Sequence, residues 1–142
     1  MTTACFDSSA FLKLLVEEDG SSHAERIWNE ADNVVASRLA LPEVSAALAA
    51  AHRATRLDDS SLRAVRREWR RFWASTDVIE LTDSIATDAS RLAGSLVLGG
   101  ADAVHLASAL TVNATAPVLV TWDRRLATAA AAAGVAVTPS DF

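Results

Sequence analysis

The sequence is poor in several residue types: it has one cysteine (Cys5), one lysine (Lys13) and no tyrosine. A single cysteine excludes a disulfide framework or a thiolate metal cluster within one chain. No stretch approaches the roughly 20 strongly apolar residues that a membrane-spanning helix requires. The N-terminus lacks a basic segment followed by an apolar one, so we expect no signal peptide. These absences favour a cytoplasmic protein without a membrane segment.

Length and composition indicate one folded domain. The chain has 142 residues, of which 51% are hydrophobic and 22% charged, which is enough apolar material for a real core. No linker, repeat or low-complexity boundary divides it, so we expect a single domain over residues 1–142. The net charge of -5 argues mildly against sequence-independent nucleic-acid binding, which depends on basic surface.

Short apolar runs alternate with segments of helical periodicity. The runs predict strands at 3–6, 34–36, 78–79, 118–120 and 135–137. The periodic segments predict helices at 8–16, 21–31, 37–55, 58–75, 82–97, 102–112 and 124–133. Continuous apolar strands separated by helices are typical of a mostly parallel sheet covered on both faces, so the predicted class is α/β.

Four acidic residues occupy positions that such a sheet would bring together. Asp7 and Asp123 follow predicted strands, Glu43 lies in the first turn of the helix after the second strand, and Asp102 begins a helix. Ligands bind beyond the carboxyl ends of parallel strands, so an acidic metal site is one interpretation. The alternative is that the three aspartates cap helices and that Glu43 is an exposed residue favoured by the helix dipole.

Four short motifs resemble, in order, those of PIN-domain nucleases. They are FDSSA at 6–10, LPEV at 41–44, ADAVHLA at 101–107 and VTWDRRL at 120–126. The intervening helices and strands are also similar, so the resemblance covers essentially the whole chain. The size is similar to that of VapC-type toxins of bacterial toxin–antitoxin pairs. The one departure is Trp122, where small residues are commoner.

The resemblance implies a three-layer α/β/α sandwich with short strands, and an endoribonuclease that leaves 5′-phosphate and 3′-hydroxyl ends. It implies Mg²⁺ or Mn²⁺ as cofactor, with Asp7, Glu43, Asp102 and Asp123 as the catalytic and metal-site residues. Asp7 and Asp102 would bind metal most directly, and Glu43 and Asp123 would complete the shell or orient water. It further implies a cognate antitoxin, an RNA substrate and a homodimer. These cations prefer oxygen ligands and promote phosphodiester hydrolysis.

Other polar residues near the motifs are secondary candidates. Ser8 and Thr121 sit beside site acids and either hydrogen-bond a carboxylate or phosphate, or act as turn hydroxyls. Arg124 and Arg125 follow Asp123 closely enough to contact a phosphate. His105, one helical turn after Asp102, is either a general base or a locally packed side chain.

The predicted helix at 58–75 carries both basic and aromatic residues. Its basic positions form a stripe that is either a solvated, salt-bridged face or an RNA contact: Arg63, Arg66, Arg67, Arg70 and Arg71. This helix also carries Trp69 and Trp73, and the predicted helix at 21–31 carries Trp28. Together their side chains present more apolar surface than a small domain readily buries. We therefore expect a homodimer, since exposed apolar patches mark interfaces.

Rival functions differ in the residues that they require. A receiver domain needs an acidic pair after the first strand, and a haloacid-dehalogenase-like phosphatase needs an aspartate at the position of Ser9. No Gly-rich phosphate loop ending in Lys-Ser/Thr is present. Two alternatives stay open: a non-catalytic RNA- or protein-binding module in which the acids only cap helices, and a nuclease acting on DNA.

Overall fold

The computed structural model describes all residues, 1–142, as five strands and seven α-helices. The strands are β1 (Thr3–Phe6), β2 (Asn33–Ser37), β3 (Asp77–Ile79), β4 (Val118–Val120) and β5 (Ala136–Thr138). The helices are α1 (Ser8–Leu15), α2 (Ser21–Glu30), α3 (Ala40–Arg53), α4 (Asp59–Ala74), α5 (Asp83–Leu96), α6 (Gly100–Thr111) and α7 (Arg124–Ala132). A short 3-10 turn spans Asn113–Thr115.

The strands form one sheet in the order β3-β2-β1-β4-β5, with every neighbouring pair parallel. The predicted α/β class is confirmed, and the sheet is parallel throughout rather than mostly so. Because the strands are parallel, their carboxyl ends share one edge, which we call the carboxyl rim. Residues that follow β1, β2 and β4 therefore start from adjacent positions along this rim.

Side chains alternate between the two faces of the sheet and build two cores. Phe6, Ala36 and Val120 point to the core that α1, α2, α3 and α4 cover. Cys5, Val35 and Leu119 point to the core beneath α5, α6 and α7. Burial on both faces explains why consecutive positions of these strands are apolar and not only alternate ones. The result is the predicted three-layer α/β/α arrangement.

Two predicted helix starts are wrong by two or three residues. We expected a helix from residue 37, but Ser37 ends β2 and its hydroxyl accepts the Leu39 N–H at 3.1 Å, so α3 begins at Ala40. Pro42 lies in the first turn, where a missing N–H costs nothing. We also expected a helix from Asp102, but the Gly99 carbonyl accepts the Ala103 N–H at 3.0 Å. Helix α6 therefore begins at Gly100, and Asp102 is inside its first turn.

The tryptophans form an aromatic cluster around Phe11 instead of an exposed patch. The Phe11 ring centroid lies 4.9 Å from that of Trp69 and 6.2 Å from that of Trp73. Trp28 packs edge-on to Phe72 at 5.0 Å. Trp69 is only 3% exposed, and Trp28 and Trp73 are partly buried. Our expectation that these side chains need a partner to cover them is wrong, because α1, α2 and α4 cover one another.

No single helix is long and apolar enough to cross a membrane. Helices α5 and α6 meet the length and composition test only as a pair, and they are bent by 116° at the break between them. Much of α6 is buried against the sheet, as expected for a core helix.

Replacing Trp69 tests the aromatic cluster. Trp69→Ala should lower the free energy of unfolding by about 3–5 kcal/mol, the usual cost of emptying a buried aromatic site. Trp69→Phe should cost much less, because the indole N–H has no hydrogen-bond partner to lose. Urea unfolding measures both, with Glu68→Ala as the control for a change on the exposed side of the same helix. Equal losses for the two Trp69 variants would contradict this packing.

Candidate active site

The carboxyl rim brings the four predicted acids into one electrostatic neighbourhood. Asp7 directly follows β1, and Asp123 lies between β4 and α7. Glu43 is in the first turn of α3 and Asp102 in the first turn of α6. The charges of Asp123, Asp7 and Glu43 all act on Asp102. Segments more than 100 residues apart in sequence thus meet, as the parallel topology requires.

Asp7 is the most enclosed of the four, with 4% of its surface exposed. It caps α1, because its Oδ1 accepts the Ala10 N–H at 2.9 Å. The Ser9 hydroxyl donates to the same oxygen at 2.6 Å, and the Thr121 hydroxyl donates to Oδ2. Burial raises the pKa of Asp7 above its usual value, although these hydrogen bonds and the charge of His105 oppose the rise. The capping interpretation is correct for Asp7 and accounts for part of its role.

Ser9 connects the two central strands of the site and was not among the predicted residues. Its hydroxyl oxygen accepts the Trp122 N–H at 2.9 Å while its proton goes to Asp7. Thr121, fully buried, accepts the Asp123 N–H at 3.0 Å while donating to Asp7. These two hydroxyls therefore fix the position of the β4–α7 turn relative to Asp7. The sequence signal for Ser9 was its place two residues after Asp7, within the first motif.

Glu43 is held by two donors on the same oxygen. The Ser8 hydroxyl donates to Oε1 at 2.7 Å, and His105 Nε2 lies 2.5 Å from the same atom. Partial burial acts to raise the pKa of Glu43, but the hydrogen bonds from His105 and Ser8 and the charge of His105 outweigh it, so the pKa is lowered. Glu43 is therefore ionised and fixed, with Oε2 free. The alternative of a merely exposed first-turn glutamate is wrong.

His105 is 4% exposed and contacts carboxylates instead of solvent. Burial acts to lower its pKa, but the hydrogen bond to Glu43 and the charges of Asp7, Glu43 and Asp102 together raise it. When it is protonated, His105 is the one buried cation among the four acids. Its geometry agrees with the local-packing interpretation and adds to it a specific partner, Glu43, which lies 62 residues away in sequence.

Asp102 differs from its neighbours because its carboxylate accepts no hydrogen bond within the chain. The capping interpretation is wrong for this residue, since Gly99 occupies the cap position of α6. Burial is the largest influence on its pKa and raises it, and the like charge of Asp123 raises it further. Asp7 and Glu43 add to the rise, while His105 opposes it. Asp102 is thus an uncompensated carboxylate facing three others.

Asp123 both caps a helix and faces the site. Its Oδ1 accepts the Leu126 N–H at 3.0 Å at the start of α7, and its Oδ2 has no donor within the chain. Arg124 and Arg125 follow it on the exposed surface. The Arg124 guanidinium lies 5.9 Å from the Phe142 ring centroid, and neither arginine pairs with a carboxylate. Both therefore remain available beside the rim.

Trp122, the residue that departs from the family pattern, is accommodated away from the acids. Gly20 has a φ of 95°, and a Cβ there would lie 2.8 Å from Trp122 Nε1. Lys13 Nζ lies 5.5 Å from the centroid of the Trp122 ring. The indole therefore packs into the loop between α1 and α2, where only glycine permits so close an approach. Asp123 keeps its capping geometry beside it.

The chemistry of these acids suits a hard divalent cation, although the side chains are not arranged as a closed ligand cage. No group of three or more His, Cys, Asp or Glu side chains stands in position to hold a metal ion directly. Mg²⁺ is usually held by one or two carboxylates and keeps several waters, so such a cage is not required. The unpaired Asp102, with free oxygens on Glu43 and Asp123, supplies the negative charge that a hydrated cation would neutralise.

Cys5 takes no part in this arrangement. It is 2% exposed within the second core, and burial, with a smaller contribution from Asp7, raises the pKa of its thiol to about 12. A thiol with so high a pKa stays protonated and behaves as a small apolar side chain.

The contact between His105 and Glu43 makes stability depend on pH. Since the pKa of His105 is raised in the fold, its contribution is fully present below the unfolded value of roughly 6.5 and is lost as pH rises through the folded value. His105→Gln should remove this loss, because an amide donates to Glu43 without titrating. The check is the free energy of unfolding against pH in chelator, with the exposed His52→Gln as control. An unchanged profile in His105→Gln would contradict the assignment.

Comparison with known proteins identifies the family of this chain. Residues 4–132 match the family described as PIN domain. The chain is 51% identical to Ribonuclease VapC45 of Mycobacterium tuberculosis (strain CDC 1551 / Oshkosh), over 100% of this chain and 99% of that protein. The same identity and coverage hold for Ribonuclease VapC49 of Mycobacterium tuberculosis (strain ATCC 25618 / H37Rv).

Solved structures support the fold independently. PAE2754 from Pyrobaculum aerophilum superimposes with a TM-score of 0.71 at 22% identity, covering 96% of this chain and 83% of that one. A toxin–antitoxin complex from Klebsiella pneumoniae contains a chain with a TM-score of 0.63 at 19% identity, covering 84% of this chain and 86% of that one. With the family match and the full-length identity, they lead to one conclusion: this chain belongs to the PIN-domain family, in the group of VapC ribonucleases that its mycobacterial relatives represent.

Proposed function

We propose that this chain is a metal-dependent endoribonuclease, and that it acts in the cytoplasm as the toxin of a toxin–antitoxin pair. The observation that carries the proposal is the unpaired, half-buried Asp102 facing three other carboxylates at the carboxyl rim. Asp102 caps no helix, so the capping interpretation does not account for its place among these acids. The full-length similarity to two ribonucleases supports RNA as the substrate.

The residues of the site have distinct roles in this proposal. Asp7, Glu43, Asp102 and Asp123 would hold Mg²⁺ or Mn²⁺. Such an ion supplies an activated water and stabilises the charge that develops on the leaving oxygen, which yields 5′-phosphate and 3′-hydroxyl ends. Ser8 and Thr121 donate to Glu43 and Asp7, so they position carboxylates instead of contacting substrate.

The remaining charged residues have two roles in this proposal: two arginines would bind RNA, and His105 orients Glu43. Arg124 and Arg125 lie free beside Asp123, within reach of a phosphate entering the rim. His105 keeps Glu43 ionised and directed into the site by contacting one of its oxygens. We assign these functions to one nuclease domain over residues 1–142.

The proposal predicts that Asp102→Asn abolishes RNA cleavage without unfolding the protein. Because ionised Asp102 is repelled by its neighbours, the variant without metal should be as stable as the wild type or more stable. It should also lose most of the thermal stabilisation that Mg²⁺ or Mn²⁺ gives the wild type. Asp83→Asn is the matched control, since Asp83 occupies the first turn of α5 but lies on the exposed surface.

End mapping of the cleaved RNA completes this test. Wild type should produce 5′-phosphate and 3′-hydroxyl ends only when divalent metal is present, and Asp7→Asn should be as inactive as Asp102→Asn. Retained cleavage by Asp102→Asn in saturating Mn²⁺ would overturn the mechanism. Cleavage of single-stranded DNA but not RNA would select the alternative nuclease, and binding of RNA without cleavage would select the non-catalytic module.

We also propose a homodimer and a cognate antitoxin as partners. The solved toxin–antitoxin complex supports a protein partner of that kind. For the dimer, an apolar surface depression lies between α5 and α6, bordered by Leu39, Leu81, Ala93 and Val104. Leu81 is 48% exposed there, so a second copy that covered this depression would bury it.

Light scattering tests the assembly. The chain alone should give a dimer mass at micromolar concentration, and Leu81→Asp should give a monomer mass because it places a charge in the covered depression. Val97→Asp is the control, since Val97 is 84% exposed on a different surface. A monomeric wild type would contradict the dimer. For the antitoxin, the test is whether the small protein encoded by the neighbouring reading frame relieves growth arrest caused by this chain. Failure to relieve it would contradict the proposed partner.

A further inference from the structure

Helix α4 presents a face of five arginines to solvent. Its buried side consists of Leu62, Val65 and Trp69, which pack into the first core. The opposite side, which we call the arginine face, carries only exposed side chains: Arg63, Arg66, Arg67, Arg70 and Arg71. Five of the thirteen basic residues thus lie within nine positions of a chain whose net charge is -5.

No carboxylate lies close enough to any arginine of this face to form an ion pair, although the pKa of Asp58 at the start of the helix is lowered by its capping hydrogen bonds and, to a smaller extent, by the charge of Arg63. Other arginines do pair, as Arg38 does with Glu80 and Arg91 with Asp88. None of the five makes an ion pair or a hydrogen bond, although Glu68 lies on the same helix. The salt-bridge interpretation of this stripe is therefore wrong.

The spacing of the arginines along α4 destabilises the helix. Arg63 repels Arg66 and Arg67, and Arg67 repels Arg70 and Arg71, because like charges three or four residues apart face each other and destabilise a helix. The fold gains no packing from these exposed side chains. An external polyanion is the kind of partner that would turn this repulsion into binding.

The face leads to the carboxyl rim. Trp73 lies in the last turn of α4, and the Arg38 guanidinium lies 5.9 Å from its ring centroid. Arg38 directly follows β2, and its N–H donates to the Ile79 carbonyl at the end of β3. The C-terminal end of α4, which carries Arg70 and Arg71, therefore lies beside the side chain of Arg38, the residue that follows β2.

The geometry of the face suits a phosphodiester chain. The arginines occur in rows one helical turn apart, about 5.4 Å, and the eight steps from Arg63 to Arg71 rise about 12 Å. A guanidinium binds phosphate through two parallel N–H bonds, which makes arginine well suited to such a backbone. Regular rows match the repeating charges of RNA better than the irregular charges of an acidic protein segment.

We propose that the arginine face binds the phosphate backbone of the RNA substrate and guides the strand to the carboxyl rim. The inference rests on the proposed ribonuclease function and extends it to a substrate-binding surface outside the acidic site. Contact with backbone phosphates would be independent of base sequence. Recognition of the cleaved sequence would then fall to residues at the rim itself.

The test measures RNA binding apart from cleavage. Fluorescence anisotropy with a labelled single-stranded oligoribonucleotide of mixed sequence, in chelator, gives affinity as a function of salt. Arg66→Gln/Arg70→Gln should weaken binding and make the slope of log affinity against log salt shallower by about 1.4, the value for two phosphate contacts on a single strand. Arg26→Gln/Arg91→Gln removes the same charge from α2 and α5 and should leave the slope unchanged.

Two further readouts separate binding from folding. In cleavage assays with metal, Arg66→Gln/Arg70→Gln should raise KM with little change in kcat, because these arginines do not contact the reacting atoms. Arg66→Lys/Arg70→Lys should recover most of the salt slope, since a charge at each position is retained. A variant that merely disturbed α4 would show no such rescue.

The outcomes distinguish this inference from the proposed function. If wild type cleaves RNA and the arginine variants bind and cleave as wild type does, the inference is wrong while the ribonuclease function stands. If wild type does not cleave RNA, the proposed function itself fails. Unchanged RNA binding with loss of binding to the antitoxin would also overturn the inference, and would assign the face to a protein partner.

Discussion

The repulsion among four carboxylates at one edge of the sheet is the constraint on which this structure depends. A parallel sheet places Asp7 and Asp123 side by side, and α3 and α6 add Glu43 and Asp102. The charges of the other three acids raise the pKa of Asp102, because like charges disfavour its ionised form. The chain opposes them with donors from distant segments, so the same hydrogen bonds that hold the site also join β1 and β4 to the helices above them.

The four acids accept different numbers of hydrogen bonds, and this difference distinguishes their roles. Asp7 accepts from Ser9, Thr121 and the Ala10 N–H, which satisfies both of its oxygens. Glu43 accepts two donors on one oxygen, and Asp102 accepts none. Asp102 is half-buried, and burial together with three neighbouring acids raises its pKa, which is typical of carboxylates at functional sites. The capping and metal-site interpretations are therefore compatible for Asp7, whereas capping does not apply to Asp102, whose role as a metal-site residue stays a prediction.

Local patterns predicted the elements and the rim, but not the contacts across it. Apolar runs located β1 and β4 within one residue, because strands buried on both faces cannot be polar. The predicted start of α6 at Asp102 is two residues late, since two consecutive glycines favour a loop, whereas the helix begins at Gly100. The pairing of His105 with Glu43 joins residues 62 positions apart, and no periodicity reveals it. The expectation that the tryptophans are exposed failed for the same reason. Their burial depends on packing against Phe11 from another helix, which the sequence does not reveal.

The charge distribution connects the site to the rest of the surface. A chain of net charge -5 that concentrates acids at the rim and arginines on α4 is strongly polarised, which its average charge conceals. Acids that hold a cation need not repel RNA once the cation is bound, since the ion's charge dominates its surroundings. In the proposed function, the arginines of α4 would attract RNA although the net charge of the chain is negative. The net charge of a protein therefore says less about nucleic-acid binding than the positions of its charges do.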